Sequence, residues 1–95
     1  MAVGDAVTVI ATVADGEYLD IRPPSGVEWI IHNIVHSASC ELYKTDGTNY
    51  ILVDSSTGNG GWLGFSFHVT HDVWYAVKNV SGANALISYD GIQSK

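Results

Sequence analysis

Short runs of β-branched and aromatic residues recur about every ten residues, and this spacing constrains the fold more than any other feature of the chain. Gly, Asp, Asn, Ser and Pro, which are favoured in turns, separate the runs. No stretch has the apolar spacing of an amphipathic helix. The pattern predicts an all-β fold, an about eight-stranded antiparallel β-sandwich of jelly-roll-like type. The predicted strands are 6–13, 17–22, 27–37, 40–44, 49–54, 62–69, 73–80 and 85–90.

The 95 residues are predicted to form one domain, 1–95, because no linker, repeat or low-complexity segment divides them. A domain of this size buries only about 60 to 65% of the surface that its unfolded chain exposes, so disulfides, metals or self-association often supplement the core. Cys40 is the only cysteine, which excludes an intrachain disulfide. Residues 27–36 are apolar on both faces of their strand. We therefore expect a homo-oligomer, in particular a homotrimer.

The charge balance limits the partners of the chain. Its formal net charge is −6, and only four residues are Lys or Arg. Such a chain would repel a phosphate backbone or an anionic membrane, so neither nucleic acid nor membrane is expected as a partner. Residues 1–5 carry no basic segment, and no apolar run reaches 18 residues. We expect synthesis in a cytoplasm without a secretion signal.

The dipeptide Asp46-Gly47 is expected to form a two-residue hairpin turn, because both residue types tolerate positive φ. Position 44 would then face 49, position 42 would face 51, and position 40 would face 53. This register predicts one buried face made of Cys40, Leu42, Ile51 and Val53.

Three further breaks have local causes. Asp15-Gly16 predicts a second tight hairpin turn. Pro23–Gly26 removes two backbone donors and predicts a corner. Ser55–Gly61 contains three glycines and is interpreted as a flexible loop.

A second hairpin is predicted from 62–69 and 73–80, paired around 70–72. Alternation then places Trp62 and Trp74 on the face opposite the core. A large ring on a nominally exposed face is typical of an interface anchor, and a second packed layer that covers the rings is the alternative. The predicted core positions are Leu63, Phe65, Phe67, Val69, Val73, Tyr75 and Val77, and the opposite face also holds Gly64, Ser66, His68, Ala76 and Lys78.

No catalytic, metal or cofactor-binding site is predicted. His32 and His36 are four apart in a strand, which separates them by about 13 Å, too far for one ion. Ser66 lacks the second glycine of a nucleophile elbow, and Cys40 is expected to be a small buried residue. The Asp and Glu residues are scattered without an evident acid–base pair. We therefore expect a protein that acts by binding and not an enzyme, with no cofactor.

Six stretches share a style of β-sandwich sequence: Val27–Ile34, Tyr43–Thr48, Ile51–Ser55, His68–Thr70, Val77–Gly82 and Tyr89–Gly91. In this style the chain resembles small virion proteins of tailed bacteriophages over roughly residues 20 to 93. The resemblance implies an oligomeric, often trimeric, capsid decoration or cement protein, or a head-fibre or fibre-base module. It also implies a location in the virion after synthesis in the host cytoplasm, and no catalytic residues.

The implied partners are copies of the chain and a major capsid or other virion protein. The predicted contact residues are Trp62, Trp74, His68, Tyr43 and Tyr50. The alternative function is a carbohydrate-binding module in which the two tryptophans stack on sugar rings, with a glycan as partner. A small hydrolase or isomerase is a third hypothesis, but no acid, base and nucleophile assemble in the sequence.

Overall fold

The structure is a computed structural model that describes residues 2–95. Within this range the chain forms eight β-strands and no helix, and so no helix long and apolar enough to cross a membrane. All eight predicted strands are confirmed to within a few residues at their ends. The strands are β1 (Ala6–Val13), β2 (Tyr18–Ile21), β3 (Glu28–His36), β4 (Cys40–Thr45), β5 (Tyr50–Ser56), β6 (Gly60–Thr70), β7 (Trp74–Asn79) and β8 (Ala85–Gln93).

The strands form two four-stranded sheets, and all paired strands are antiparallel. Sheet A has the order β1-β8-β3-β6, and sheet B has the order β2-β7-β4-β5. This is the order of an eight-stranded jelly roll, so the predicted fold class is confirmed. The edge strands β1 and β2 lie on one side of the sandwich, and the edge strands β5 and β6 lie on the other.

The core lies between the two sheets and takes aliphatic side chains from both. Four polar residues are buried as well, His36, Thr45, Asn79 and Gln93, and the Asn79 amide donates to the carbonyl oxygens of Val13 (2.8 Å) and Ala83 (2.6 Å). The buried amide is therefore hydrogen-bonded, which avoids the cost of an unsatisfied polar group. The fully buried aliphatic residues include Ile21, Ile31, Ile34, Leu42, Val69, Val77 and Ile87.

Only β4 and β5 are consecutive strands that pair with each other. The predicted pairing of 62–69 with 73–80 is wrong, because β6 belongs to sheet A and β7 to sheet B. Asp15-Gly16 likewise turns the chain between sheets and does not close a hairpin, with the amide of Glu17 donating to the carbonyl of Ala14 (3.1 Å). The corner predicted at Pro23–Gly26 is confirmed, and it carries the chain from sheet B to sheet A.

A bulge shared by β3 and β6 changes which residues of both strands face the core. Leu63 lies opposite Asn33 and Phe67 lies opposite Ile31, so residues 64–66 face His32 alone. The backbone amide of Gly64, whose φ is +74°, donates to Asn33 Oδ1 at 3.0 Å. The Nδ1 of His32 donates to the carbonyl of Phe65 at 2.9 Å. These two contacts hold the extra residues out of the ladder.

The bulge overturns the predicted faces in the first half of β6. Trp62 is buried, whereas Leu63 and Phe65, predicted to be core, are exposed. Beyond the bulge the prediction is correct, since Phe67 and Val69 are buried. The same shift brings the inner side chains of β3 to one face: Trp29, Ile31, Ile34 and His36 are all buried. The apolar pattern on both faces of 27–36 therefore marks a bulge.

The β4–β5 connection is a four-residue loop, 46–49, and the predicted two-residue turn is wrong. Thr45 pairs with Tyr50, and the amide of Asp46 donates to the carbonyl of Asn49 at 3.3 Å. The Asp46 carboxylate accepts from the amides of Thr48 (2.9 Å) and Asn49 (2.7 Å), which moves the turn along the chain. In the resulting register Cys40 and Leu42 are buried as predicted, but Ile51 and Val53 are exposed.

The flexible loop predicted at Ser55–Gly61 is mostly strand. β5 continues to Ser56 and β6 begins at Gly60, which leaves only 57–59 between them. A Cβ at Gly61 would collide with the carbonyl oxygen of Ile34. This glycine therefore allows a close approach of two backbones and is not a source of flexibility.

We expect Gly47→Val to lower the free energy of unfolding by roughly 1 kcal/mol or more. The φ of Gly47 is +92°, and a Cβ there would lie 3.2 Å from Cη2 of Trp74. The measurement is urea unfolding of both proteins. Gly58→Val is the matched control, because Gly58 has φ +72° but nothing within 4 Å of its Cβ position. Equal losses for the two variants would show that the Trp74 ring contributes nothing to the effect.

Candidate functional site

The five predicted contact residues do not share a surface. Trp62 and His68 are on β6 in sheet A, whereas Tyr43, Tyr50 and Trp74 are on β4, β5 and β7 in sheet B. A single face that combines both tryptophans, as the prediction required, is therefore not formed.

Trp62 is a core residue that joins the two sheets. Its exposed fraction is 6%, and its Nε1 donates to Oδ2 of Asp54 on β5 at 2.7 Å. Its ring centroid lies 5.3 Å from that of His36. The buried indole with its hydrogen bond satisfied fits a structural role. The alternative of a covering layer is thus correct for this ring.

Trp74 does lie on the outer face of sheet B, but the chain covers it. The Arg22 guanidinium is 4.0 Å above the ring centroid, and Trp74 Nε1 donates to Oδ1 of Asp20 at 3.2 Å. Arg22 is fixed in turn, because its Nε donates to the carbonyl of His71 at 2.7 Å. The cation–π contact leaves Trp74 only 5% exposed. The ring therefore offers a partner almost no free surface.

His68 is exposed at the outer face of sheet A. Its Nε2 lies 3.1 Å from Oε1 of Glu28, whose other carboxylate oxygen is 3.7 Å from Lys95 Nζ. Exposed ion pairs of this kind contribute little to stability or affinity. The group is a solvated polar patch.

Tyr43 and Tyr50 do come together, and Tyr18 joins them. The ring centroid of Tyr18 lies 5.7 Å from that of Tyr43 and 5.3 Å from that of Tyr50. Tyr43 donates its hydroxyl to Oε1 of Glu41 at 2.7 Å, and this hydrogen bond is the main cause that raises the pKa of Tyr43 to about 12. Tyr18 was not predictable as a member of this cluster, because it reaches the cluster from β2, which is distant in the chain. The three rings pack against one another at steep angles and form no flat platform.

The most exposed apolar surface on the β5–β6 side of the sandwich was missed by the sequence reasoning. Its five side chains are each between 48% and 65% exposed. They lie on the two edge strands β5 and β6, which are joined by 57–59 and by the Trp62–Asp54 hydrogen bond. Leu52 pairs with Tyr43 and lies with it on the outer face of sheet B, whereas its neighbour Ile51 points to the opposite face of β5, so these side chains surround this side of the sandwich and do not form one flat face. We call this group of side chains the apolar edge. It consists of Ile51, Leu52, Val53, Leu63 and Phe65.

The apolar edge is anchored to the core through stacked rings. Phe65 stacks on Phe67 with centroids 5.3 Å apart, and Phe67 contacts Tyr75 of sheet B at 4.9 Å. The exposed ring of Phe65 is therefore held in place and not free to collapse. Rigid apolar side chains lose little entropy when a partner covers them.

The loop 46–49 lies at one end of this edge and carries a strongly ionised carboxylate. Hydrogen bonds from the backbone amides of Asn49 and Thr48 lower the pKa of Asp46 to about 2. The charge is exposed, so it limits the apolar edge on this side.

The groups considered for catalysis or metal binding stay apart. Among residues 2–95, no three His, Cys, Asp or Glu side chains lie close enough to hold a metal ion. Cys40 is buried, and burial raises the pKa of its thiol, so the sulfur is not a ready nucleophile. His32 and His36 serve structure: the Nδ1 of each donates to a backbone carbonyl, of Phe65 and Ala38 respectively.

Comparison with known proteins adds no family. No protein-family model matches the sequence, and no curated protein matches it. The surfaces described above therefore provide the basis for a functional proposal.

Trp62→Ala is expected to lower the free energy of unfolding by about 3 to 5 kcal/mol, because it removes a buried ring and leaves a cavity in the core. Leu63→Ala, one residue away on the exposed side of the strand, should lower it by about 0.5 kcal/mol or less. Chemical denaturation followed by far-ultraviolet circular dichroism, a backbone signal, measures the loss of stability in both variants. Equal losses for the two variants would contradict the assignment of faces.

The contribution of Asp46 to stability should depend on pH in the acid range. Its folded pKa is lowered to about 2 from an ordinary value of 3.8, so the stabilisation is complete above about pH 5 and is lost as the pH falls towards 2. Asp46→Asn removes the titration. The difference in unfolding free energy between wild type and Asp46→Asn should therefore shrink between pH 5 and pH 2. A difference that stays constant over this range would contradict the assignment.

Proposed function

We propose that this protein is a non-catalytic structural protein that binds copies of itself, as a homotrimer, and is carried on the surface of a larger particle. The observation that supports this most strongly is the apolar edge, with five half-exposed side chains on one side of the sandwich. Exposed apolar clusters of this kind commonly mark protein–protein contacts. The acidic, cation-poor surface fits a protein partner better than a nucleic acid.

Burial of the apolar edge would favour association. Complete burial of one such side chain contributes about 1.5 to 3 kcal/mol, and about half of that remains to be gained here. Covering all five would contribute on the order of 5 kcal/mol per copy before the entropic cost of association. A small domain gains in stability when such a surface is covered in its native state.

Side-chain packing, and not extension of the sheets, is the proposed mode of contact. β5 has a register shift at Val53, and β6 has the three-residue bulge at 64–66. Bulges at sheet edges interrupt the row of backbone groups that a new strand would need. The partner is therefore proposed to pack on the apolar side chains of Ile51, Leu63 and Phe65.

The particle is proposed to be the virion of a tailed bacteriophage, as the sequence resemblance implies. The protein would be a capsid decoration or cement protein, or a head-fibre component, with a major capsid or other virion protein as the second partner. The jelly-roll fold and the exposed edge are compatible with this role, and the particle itself is argued from the resemblance alone.

Carbohydrate binding through Trp62 and Trp74 is the weaker proposal. Both rings are covered, one by the core and the other by Arg22, so neither presents a face on which a sugar could stack. The tyrosine cluster around Tyr43 has its rings at steep angles to one another, which gives a sugar little flat surface.

The double variant Ile51→Gln/Leu63→Gln tests the proposal. Wild-type protein at low micromolar concentration is expected to have three times the 10.2 kDa mass of the chain in light scattering. The double variant should lose this association, because it replaces two of the most exposed apolar side chains with polar ones. In particles purified from infected cells, wild-type protein should co-sediment and the variant should stay in the free fraction.

Val3→Gln is the matched control, because Val3 is 70% exposed but lies before β1, away from the apolar edge. It should retain the wild-type mass. A wild-type protein that remains monomeric, or a double variant that keeps the oligomer, would overturn the proposal.

A further inference from the structure

The four edge strands of the sandwich differ in how well they are protected against pairing with another strand. β6 carries the bulge at 64–66, and β5 carries the register shift at Val53. β2 is only four residues long and runs into Pro23 and Pro24. Bulges, short length and prolines are the means by which sheet proteins block edge pairing.

β1 has none of these protections. It is eight residues long, and its register against β8 is unbroken from Ala6 to Val13. The segment Ala6–Val13 contains no charged residue and no proline, and it is rich in Val, Thr and Ile. Ile10, near its centre, is 70% exposed. Within residues 2–95 no strand lies beyond it, so β1 is the one long and regular edge.

The direction of the backbone groups can be derived from the neighbouring strand. The amide of Ser37, in line with β3, donates to the carbonyl of Leu86, so even-numbered residues of β8 bond towards β3. Backbone groups alternate in direction along a strand, so odd-numbered residues of β8 bond to β1. These are paired with odd-numbered residues of β1. The N–H and C=O groups directed away from the sheet are therefore those of Ala6, Thr8, Ile10 and Thr12.

We propose that β1 pairs antiparallel with β1 of a second copy about a two-fold axis at Ile10. The two Ile10 residues then lie opposite each other, and Thr8 lies opposite Thr12 of the partner on both sides of the axis. All of these residues have outward backbone groups, so each pair exchanges two hydrogen bonds. The two A sheets become one continuous eight-stranded sheet.

The strand is complementary to its own copy. Pairing about Ile10 places like side chains together on the outer face, Ile with Ile and Thr with Thr, which are favourable cross-strand pairs. The exposed Ile10 side chain, which lines a cavity of about 380 Å³ with Val35 and Leu86, gains an apolar neighbour.

Charge also permits this contact although the chain carries a net charge of −6. The paired segment is uncharged, and the flanking Asp5 and Asp15 lie outside the ladder. The carboxylate of Asp5 accepts from the amide of Ala2, and that of Asp15 accepts from the amide of Gly82. No acidic side chain therefore lies within the ladder, but the register brings Asp5 of each copy towards Asp15 of the other just beyond its ends, and this like-charge contact weakens the association.

The contact area predicts a weak association. A ladder of seven residues, 7–13, is about 23 Å long and covers on the order of 400 Å² on each copy, below the roughly 800 Å² of a standard interface. The pairing should therefore appear only as the concentration rises above the low micromolar range at which the trimer is measured. It is independent of the apolar edge, which lies on the opposite side of the sandwich, so one copy can use both surfaces.

Three double variants test the pairing by charge, all made in the Ile51→Gln/Leu63→Gln background so that the proposed trimer does not contribute. Thr8→Lys/Thr12→Lys and Thr8→Glu/Thr12→Glu place like charges opposite each other across the axis. Thr8→Lys/Thr12→Glu places opposite charges there at both sites. Sedimentation equilibrium should show the two like-charge variants to associate about tenfold more weakly or worse than the background protein. The mixed variant should associate at least as well as the background.

Amide hydrogen exchange provides the second measurement. With rising concentration, the amides of Thr8, Ile10 and Thr12 should become protected in the background protein, whereas those of Val9 and Ala11 are protected at all concentrations by β8. The proposal is overturned if the background stays monomeric over this range, if all three variants associate equally, or if the mixed variant dissociates like the others. Because the pairing is measured in the Ile51→Gln/Leu63→Gln background, in which the proposed trimer does not form, failure of one proposal is distinguishable from failure of the other.

Discussion

The bulge shared by β3 and β6 determines what the outside of this protein looks like. It is held by two contacts, the Gly64 amide on Asn33 and the His32 ring on the Phe65 carbonyl. Before the bulge an even-numbered residue of β6, Trp62, faces the core, and after it the odd-numbered residues Phe67 and Val69 do. The large indole of Trp62 is thereby buried, and the apolar side chains of Leu63 and Phe65 are exposed in exchange.

An apolar edge is thus produced by a local irregularity and not by an excess of apolar residues. If β6 alternated without interruption, Leu63 and Phe65 would lie inside with Phe67, and Trp62 would lie outside. The sandwich places the other contributing strand, β5, beside this edge. Two edge strands with irregular registers therefore meet on one side, whereas the regular strand β1 lies on the other.

The strands themselves were predictable, because turn residues and β-branched runs are local signals, and all eight lie within a few residues of their predicted ends. The pairing of the strands was not predictable, because in this jelly roll only one pair of consecutive strands forms a hairpin. The predicted assignment of side chains to the core or the outer face was wrong where a bulge or a longer loop changed the register, as at Trp62 and Ile51. Trp74 was placed on the correct face, but Arg22, which covers it, directly follows β2 and lies more than fifty residues earlier in the chain. Such long-range contacts leave no mark in local spacing.

The burial of the tryptophans has a practical consequence for spectroscopy. Trp29, Trp62 and Trp74 are each no more than 7% exposed, so all three indoles of the chain are shielded from water in the folded state. Intrinsic fluorescence then reports whether the core is intact, and it changes little when the apolar edge or β1 is covered. Tyr18 and Tyr50 remain partly exposed on sheet B, so a fluorescence quencher dissolved in the solvent can reach them. Association through the apolar edge or β1, as proposed, would therefore leave the tryptophan fluorescence nearly unchanged.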